Sequence, residues 1–174
     1  MNTKNNRRRR DSIQRIEKAF ISLLQTRELN EITVSELCKL SGLNRSTFYA
    51  NYVDIYDLAD RIRAHLEGEV GRLYAEEAEQ KFNSNDFLKL FRHIRDNQLF
   101  YLTYFKLGYD SRHQVFLYDT SLSRQYFDDR YIDYHIAFFK SGFNALVKMW
   151  LAGGCRETPE EMNEIIQSEY RGRA

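Results

Sequence analysis

A single proline, at position 159, in a chain of 174 residues leaves the backbone free to run as helix almost throughout. The apolar side chains follow with helical spacing. Ile13, Ile16, Phe20, Leu23 and Leu24 predict a first helix, with Asp11 or Ser12 as its N-cap. Thr33 precedes Glu36 by three residues, a capping-box signature that starts a short second helix through Val34, Leu37, Cys38 and Leu40. Gly42 ends it, because glycine accepts the left-handed backbone of a tight interhelical turn. Asn44 then caps a third helix whose inward positions are Phe48 and Tyr52, and Asp54 caps a fourth.

The fourth helix is longer. Leu58, Ile62, Leu66, Val70 and Leu73 keep the period from 54 to 80, a length of about 40 Å at about 1.5 Å per residue. Gly68 and Gly71 weaken it and permit a bend. Residues 87–106 read as one helix or two joined near Asp96 and Asn97. Residues 107–128, with Gly108, Tyr109, Val115, Phe116, Leu117 and Tyr118, fit a helix or a less regular connection. From 130 to 151 a broad apolar face holds Tyr134, Phe138, Phe139, Phe143, Leu146, Val147 and Trp150, ended by Gly153 and Gly154. Thr158, Pro159 and Glu161 supply an N-cap, a first-turn proline and a capping-box partner for a last helix carrying Met162, Ile165 and Ile166. The fold class expected is all-α, about nine helices in all.

Charge divides the chain. Residues 1–50 contain ten Lys or Arg against five Asp or Glu, and residues 51–174 sixteen against twenty. The front is therefore net positive and the remainder net negative, which points a polyanion at the N-terminal part alone. Residues 1–9 read as a basic disordered tail, and with Arg7, Arg8, Arg9 and Arg10 the arginine run acquires meaning if a nucleic-acid-binding unit follows. Cys38 and Cys155 match no metal or redox spacing, so a reduced cytoplasmic protein is expected. No apolar signal core follows the basic start, and no apolar run reaches membrane-spanning length, so no membrane partner is expected.

The stretch LCKLSGLNRSTFYANY, residues 37–52, fits a helix-turn-helix. Two helices crossing steeply through a short turn need a small residue where the backbones approach, a glycine in the turn and apolar locks. Cys38, Gly42 and the set Leu37, Leu43 and Phe48 meet those needs. The second helix of such a unit leads into the major groove with its N-terminal residues, here Asn44, Arg45, Ser46 and Thr47, followed by Tyr49. Arginine donates two bonds to guanine, whereas hydroxyls and a phenol suit phosphate.

With ITVSELCKLSGLNRSTFYANYVDIYDL, the sequence resembles the TetR/AcrR family of bacterial transcriptional regulators over roughly residues 10–70. The resemblance implies a DNA-binding domain over 10–70, with the motif at about 33–52 and the recognition helix at 44–50. A helical dimerisation and signal domain follows over 71–174. It places Thr33, Thr47 and Tyr49 at positions that grip phosphates, and Asn44, Arg45 and Ser46 at positions that approach bases. Two positions depart from the pattern: Ile55 stands where a phosphate-contacting lysine is frequent, and Asn51 where histidine is. The basic tail is expected to compensate by reaching the backbone or the minor groove.

The implied partners are a double-stranded DNA operator, a second copy of the chain, and an unidentified small-molecule or protein effector. The implied location is the bacterial cytoplasm, at the nucleoid when bound to DNA. A homodimeric repressor on a pseudopalindromic operator is the functional expectation, with Phe138, Phe139, Phe143, Leu146, Val147, Trp150, Met162, Ile165 and Ile166 at the subunit interface. His93, Phe100, Tyr101, Tyr104, Phe105, Tyr109 and Phe116 are candidates for an aromatic ligand pocket, against the alternative that they fill the core. No cofactor or metal is implied. The four histidines, 65, 93, 113 and 135, are dispersed, neither cysteine has a catalytic neighbour, and no glycine-rich phosphate loop occurs, so catalysis has no support. The competing class is a helical adaptor or coactivator whose N-terminal unit only tethers it to DNA.

Overall fold

The computed structural model describes residues 4–80, 86–112 and 130–171, and every regular element among them is helical. They fall into two compact units, Met1–Leu66 and Glu67–Ala174.

The first unit holds α1 (Lys4–Leu24), a 3-10 turn at Leu29–Glu31, α2 (Val34–Ser41), α3 (Arg45–Tyr49) and the start of α4 (Ile55–Leu73). Its core is one apolar stripe from each helix. Ile16, Phe20 and Leu24 of α1, Leu37 of α2, Phe48 of α3 and Leu58 of α4 are all fully buried. Side chains of this size contribute roughly 1.5–3 kcal/mol each on full burial, which is what orders a helix as short as α3.

Helix α1 begins earlier than the sequence pattern indicates. The basic segment expected as a disordered tail is helical from Lys4, which leaves Asp11 and Ser12 inside the helix and not at its cap. Three causes act together. Arginine is a strong helix former, the Ser12 hydroxyl donates to the Arg8 carbonyl at 3.0 Å, and Arg9 Nε donates to Asn51 Oδ1 at 3.0 Å.

Helix α4 is shorter than expected. It stops at Leu73, so its 19 residues rise about 28 Å, and a separate α5 (Ala75–Glu79) follows. Near the break the Tyr74 amide bonds the Gly71 carbonyl at 3.4 Å, and its hydroxyl donates to the Asp86 carbonyl at 3.2 Å. The glycine lowers helix propensity and the tyrosine anchors the chain elsewhere.

The second unit holds the end of α4, α5, α6 (Leu88–Asp96), α7 (Gln98–Lys106), α8 (Tyr109–Arg112), α9 (Ile132–Ala152) and α10 (Pro159–Arg171). The pair α6 and α7 breaks at Asn97, whose side-chain amide donates to the His93 carbonyl at 2.9 Å. Residues 113–129 lie outside the described residues, and with them most of the hard-to-read stretch and the candidate Phe116. Capping starts α10 as the sequence predicts: the Thr158 hydroxyl accepts from the Glu161 amide at 3.2 Å, and the Glu161 carboxylate accepts from the Thr158 amide at 2.7 Å.

Aromatic rings build the core of this unit. Phe91 lies edge-on to Trp150 at 5.5 Å and tilted against Phe143 at 5.7 Å, and Phe87 meets Phe143 at 5.1 Å. Trp150 Nε1 donates to the Glu157 carbonyl at 3.1 Å, so its one polar atom is satisfied inside the fold. The expected interface set therefore divides. Phe143, Val147, Trp150, Met162 and Ile166 are buried within one chain, because α6 packs against the rings of Phe143 and Trp150 on α9 and against α10, and α7 also packs on α9. Phe138 and Ile165 are exposed, and Phe139 and Leu146 are half-buried.

Candidate nucleic-acid interface

The reading head is assembled by local rules. Thr33 caps α2: its hydroxyl accepts from the Glu36 amide at 3.2 Å and donates to Glu36 Oε2 at 2.8 Å. Glu36 is further ion-paired with Arg27, and these partners hold its carboxyl below the usual range. At the other end of α2, Gly42 has φ 64° and ψ 34°. The Leu43 amide donates to the Cys38 carbonyl at 3.0 Å and the Gly42 amide to the Lys39 carbonyl at 3.4 Å, the paired bonds of a Schellman turn. Arg15 of α1 donates from Nη2 to the Gly42 carbonyl at 3.2 Å and so braces the turn from outside. Cys38 is a buried free thiol at the crossing, and burial pushes its pKa up, with Arg45 opposing weakly. It serves packing.

Asn44 organises the start of α3. Its Oδ1 accepts from the Thr47 amide at 2.8 Å and from the hydroxyls of Ser46 and Thr47, both at 2.7 Å. A hydroxyl has one hydrogen, so in this arrangement Ser46 and Thr47 offer outward only lone pairs. To bind a phosphate, which can only accept, Thr47 must turn its hydrogen away from Asn44. Arg45 takes part in none of these bonds and is exposed at the front of the helix.

Aromatic packing supports the same helix from behind. Phe48 is fully buried, with Tyr49 edge-on at 5.4 Å and Tyr52 tilted at 5.5 Å. Tyr49 is itself half exposed. Tyr52 is buried, its hydroxyl donates to Glu17 Oε1 at 3.4 Å, and Arg61 lies 5.4 Å above its ring. Burial raises the pKa of the tyrosine and of Glu17, the latter opposed by His65 and the hydrogen bond. Ile55 is buried at the start of α4, where its side chain is part of the core. The start of α4 is fixed by Asp54, which accepts from the Asp57 amide at 2.8 Å.

Sequence reasoning missed two contributors, Arg15 and Asn51, because each acts on a backbone or side chain far along the chain. It also missed Val53 and Tyr56, exposed apolar residues just after α3. No local signal marks a side chain that stays out of the core.

Among the described aromatic candidates of the second unit, Tyr101, Tyr104 and Tyr109 are buried. Tyr101 is fully buried with its hydroxyl 2.8 Å from His93 Nδ1, and His93 Nε2 lies 3.5 Å from Glu69 Oε2. The Tyr104 hydroxyl donates to the Tyr109 carbonyl at 3.3 Å. Phe105 carries Lys148 over its ring at 5.1 Å, and Phe100 is half-buried. Among the described residues no three His, Cys, Asp or Glu side chains gather as for a metal ion, and no helix is long and apolar enough to cross a membrane.

A short, capped helix held across a glycine turn, beside a helix rich in arginine and followed by a separate helical unit, defines the class of helix-turn-helix regulators. Comparison with known proteins gives the family. Residues 84–169 match a TetR family described as "Transcriptional regulator C-terminal region". The HTH-type dhaKLM operon transcriptional activator DhaS of Lactococcus lactis subsp. lactis (strain IL1403) is 26% identical over 130 residues, 74% of this chain and 68% of that protein. The fold is that of a solved TetR transcriptional regulator from Streptococcus agalactiae 2603V, at a TM-score of 0.62 and 23% identity, covering 95% of this chain and 96% of the other. The chain is thus similar to the TetR family of transcriptional regulators in its C-terminal region and in its fold.

Proposed function

We propose that this regulator acts as a homodimer, each copy seating α3 in the major groove of one half of a pseudopalindromic operator. The observation that carries the reading is the front of α3, where Arg45 stands exposed while Asn44, Ser46 and Thr47 fix the helix start around it. Arg45 reads a guanine edge, Asn44 and Ser46 approach bases, and Thr33, Thr47 and Tyr49 hold phosphates.

An exposed stripe on α9 supports the dimer. Tyr134, Phe138, Ala145 and Met149 recur along one side of the helix, with Ile165 of α10 also exposed. Ser141, Gly142 and Ala145 keep its middle low, which lets a second helix approach closely. Repression by occupying a promoter, relieved by a small molecule or a partner protein, is the mode of control. A second reading, activation, is favoured by one observation: the Lactococcus relative is a transcriptional activator.

Selection of bound fragments from genomic DNA tests the proposal. The recovered duplex is expected to bind roughly 10³-fold or more tightly than random sequence, and equal affinity refutes it. Arg45→Ala is expected to cost about 1–3 kcal/mol on the selected duplex and much less on random DNA. Light scattering is expected to give twice the 20.8 kDa chain mass, and transcription from the selected fragment in vitro separates repression from activation.

A further inference from the structure

Helix α1 extends past the core it anchors. Ile13, Ile16, Phe20 and Leu24 form its inward stripe, and one turn ahead on that stripe stands Arg9. Arg9 Nε donates to Asn51 Oδ1 at 3.0 Å, and Asn51 Nδ2 donates to the Thr47 carbonyl of α3 at 2.8 Å. Both ends of one amide thus join the extension of α1 to the recognition helix, 42 residues away in sequence. Arg15 grips the Gly42 carbonyl, so α1 is attached at the turn before α3 and again just after it.

With Arg9 turned toward Asn51, Arg7, Arg8 and Arg10 are carried on the other sides of the helix, and all four arginines are exposed. Arg7 and Arg10 line a shallow cleft with Asp11 and Gln14. Arg7 and Arg8 stand at neighbouring positions on different sides of the helix, so together they offer positive charge across a broad exposed surface. The helical state also decides how they meet DNA. A helix is about 10–12 Å across and the minor groove of B-DNA about 6 Å wide, so this extension lies along the phosphodiester backbone and does not enter the groove as a tail would. Guanidinium groups suit that contact, since each offers two parallel donors to a phosphate.

We propose that the first turns of α1 form a second DNA contact, a phosphate clamp beside the groove that α3 reads, and that Asn51 is the residue that positions it. The proposal rests on the reading of α3 as the DNA-recognition helix. The charges set how many phosphates are neutralised, and the Asn51 bracket sets how much ordering remains to be done on docking.

The test measures affinity of the full chain for the genomically selected duplex and for a random duplex of equal length, over a salt series. The double variant Arg7→Ala, Arg8→Ala is expected to flatten the slope of log affinity against log salt by about 1.8 on both duplexes, with the ratio between them unchanged. Asn51→Ala, with all arginines kept, is expected to preserve the slope and weaken binding about 3- to 10-fold. Placed in the Arg7→Ala, Arg8→Ala background, Asn51→Ala is expected to change nothing more. An unchanged slope in the arginine variant overturns the clamp. An equal loss from Asn51→Ala in both backgrounds overturns the positioning role, because Asn51 would then act on α3 or on DNA directly. A wild-type chain that binds both duplexes equally refutes the reading of α3 instead, and the slope on random DNA still reports on the clamp.

Discussion

Replacing Gly42 with alanine probes the turn on which the reading head depends. At φ 64° a side chain sits in the left-handed region, which costs an L-residue about 1–2 kcal/mol. A Cβ at this position would also lie 2.7 Å from Arg15 Nη2, and the guanidinium, being the end of a flexible side chain, is displaced at low cost. Its bond to the Gly42 carbonyl is then lost, a further 0.5–1.5 kcal/mol or about that. Gly42→Ala is therefore expected to destabilise by about 1.5–3.5 kcal/mol, and by only about 1–2 kcal/mol in an Arg15→Ala background, where no guanidinium remains to displace. Gly42→Asn is expected to be milder than Gly42→Ala, since asparagine visits this conformation readily. Hydrogen exchange of the peptide spanning α2 and α3 is the suitable assay, because it reads the opening of this motif separately from the second unit. A cost below about 0.5 kcal/mol in both backgrounds, or an asparagine variant as damaging as the alanine one, refutes the reasoning.

Other perturbations address packing and charge. Phe48→Ala is expected to cost about 3–5 kcal/mol by emptying the centre of the first unit, and to abolish DNA binding with it, as circular dichroism and gel shift would show. Burial raises the pKa of Glu17, so its contribution is fully present below the ordinary value of 4.5 and is lost as pH rises through the higher folded value. Glu17→Gln is accordingly expected to melt above wild type at pH 7, with the gap closing in acid. Glu161 has the opposite sign: bonds from the Thr158 amide and hydroxyl lower its pKa, giving stability that is present at neutral pH and lost as pH falls through the folded value. Thr158→Ala is expected to cost about 1 kcal/mol by urea titration at pH 7 and less at pH 3.

What the sequence made legible was local. Thr33 with Glu36 and Thr158 with Glu161 are pairs three residues apart, and both close as capping boxes. Gly42, Asn44 and the break at Asn97 likewise follow from the conformations their own side chains allow. The start of α1 was not legible, because Arg9 is held by Asn51, and no pattern within either segment announces that contact. Helical period also cannot say which of two apolar faces a neighbour will cover. On α9, Phe143, Val147 and Trp150 are buried, with the two rings against Phe91 of α6, while Tyr134, Phe138 and Met149 face outward, although all six carry the same apolar signal. The front of α3 was readable as a set of residue types. That Asn44 gathers the hydrogens of Ser46 and Thr47 could be found only from three dimensions.

That gathering has a consequence for how operator preference can change over descent. Asn44 holds the first turn of α3 together through three bonds, so substitutions there, or at the hydroxyls it binds, loosen the helix before any new base preference can be tried. Arg45 carries no such duty and can be exchanged with the scaffold intact. Divergence among descendants of this regulator should therefore begin at residue 45, with its neighbours following only where a replacement cap has already been acquired.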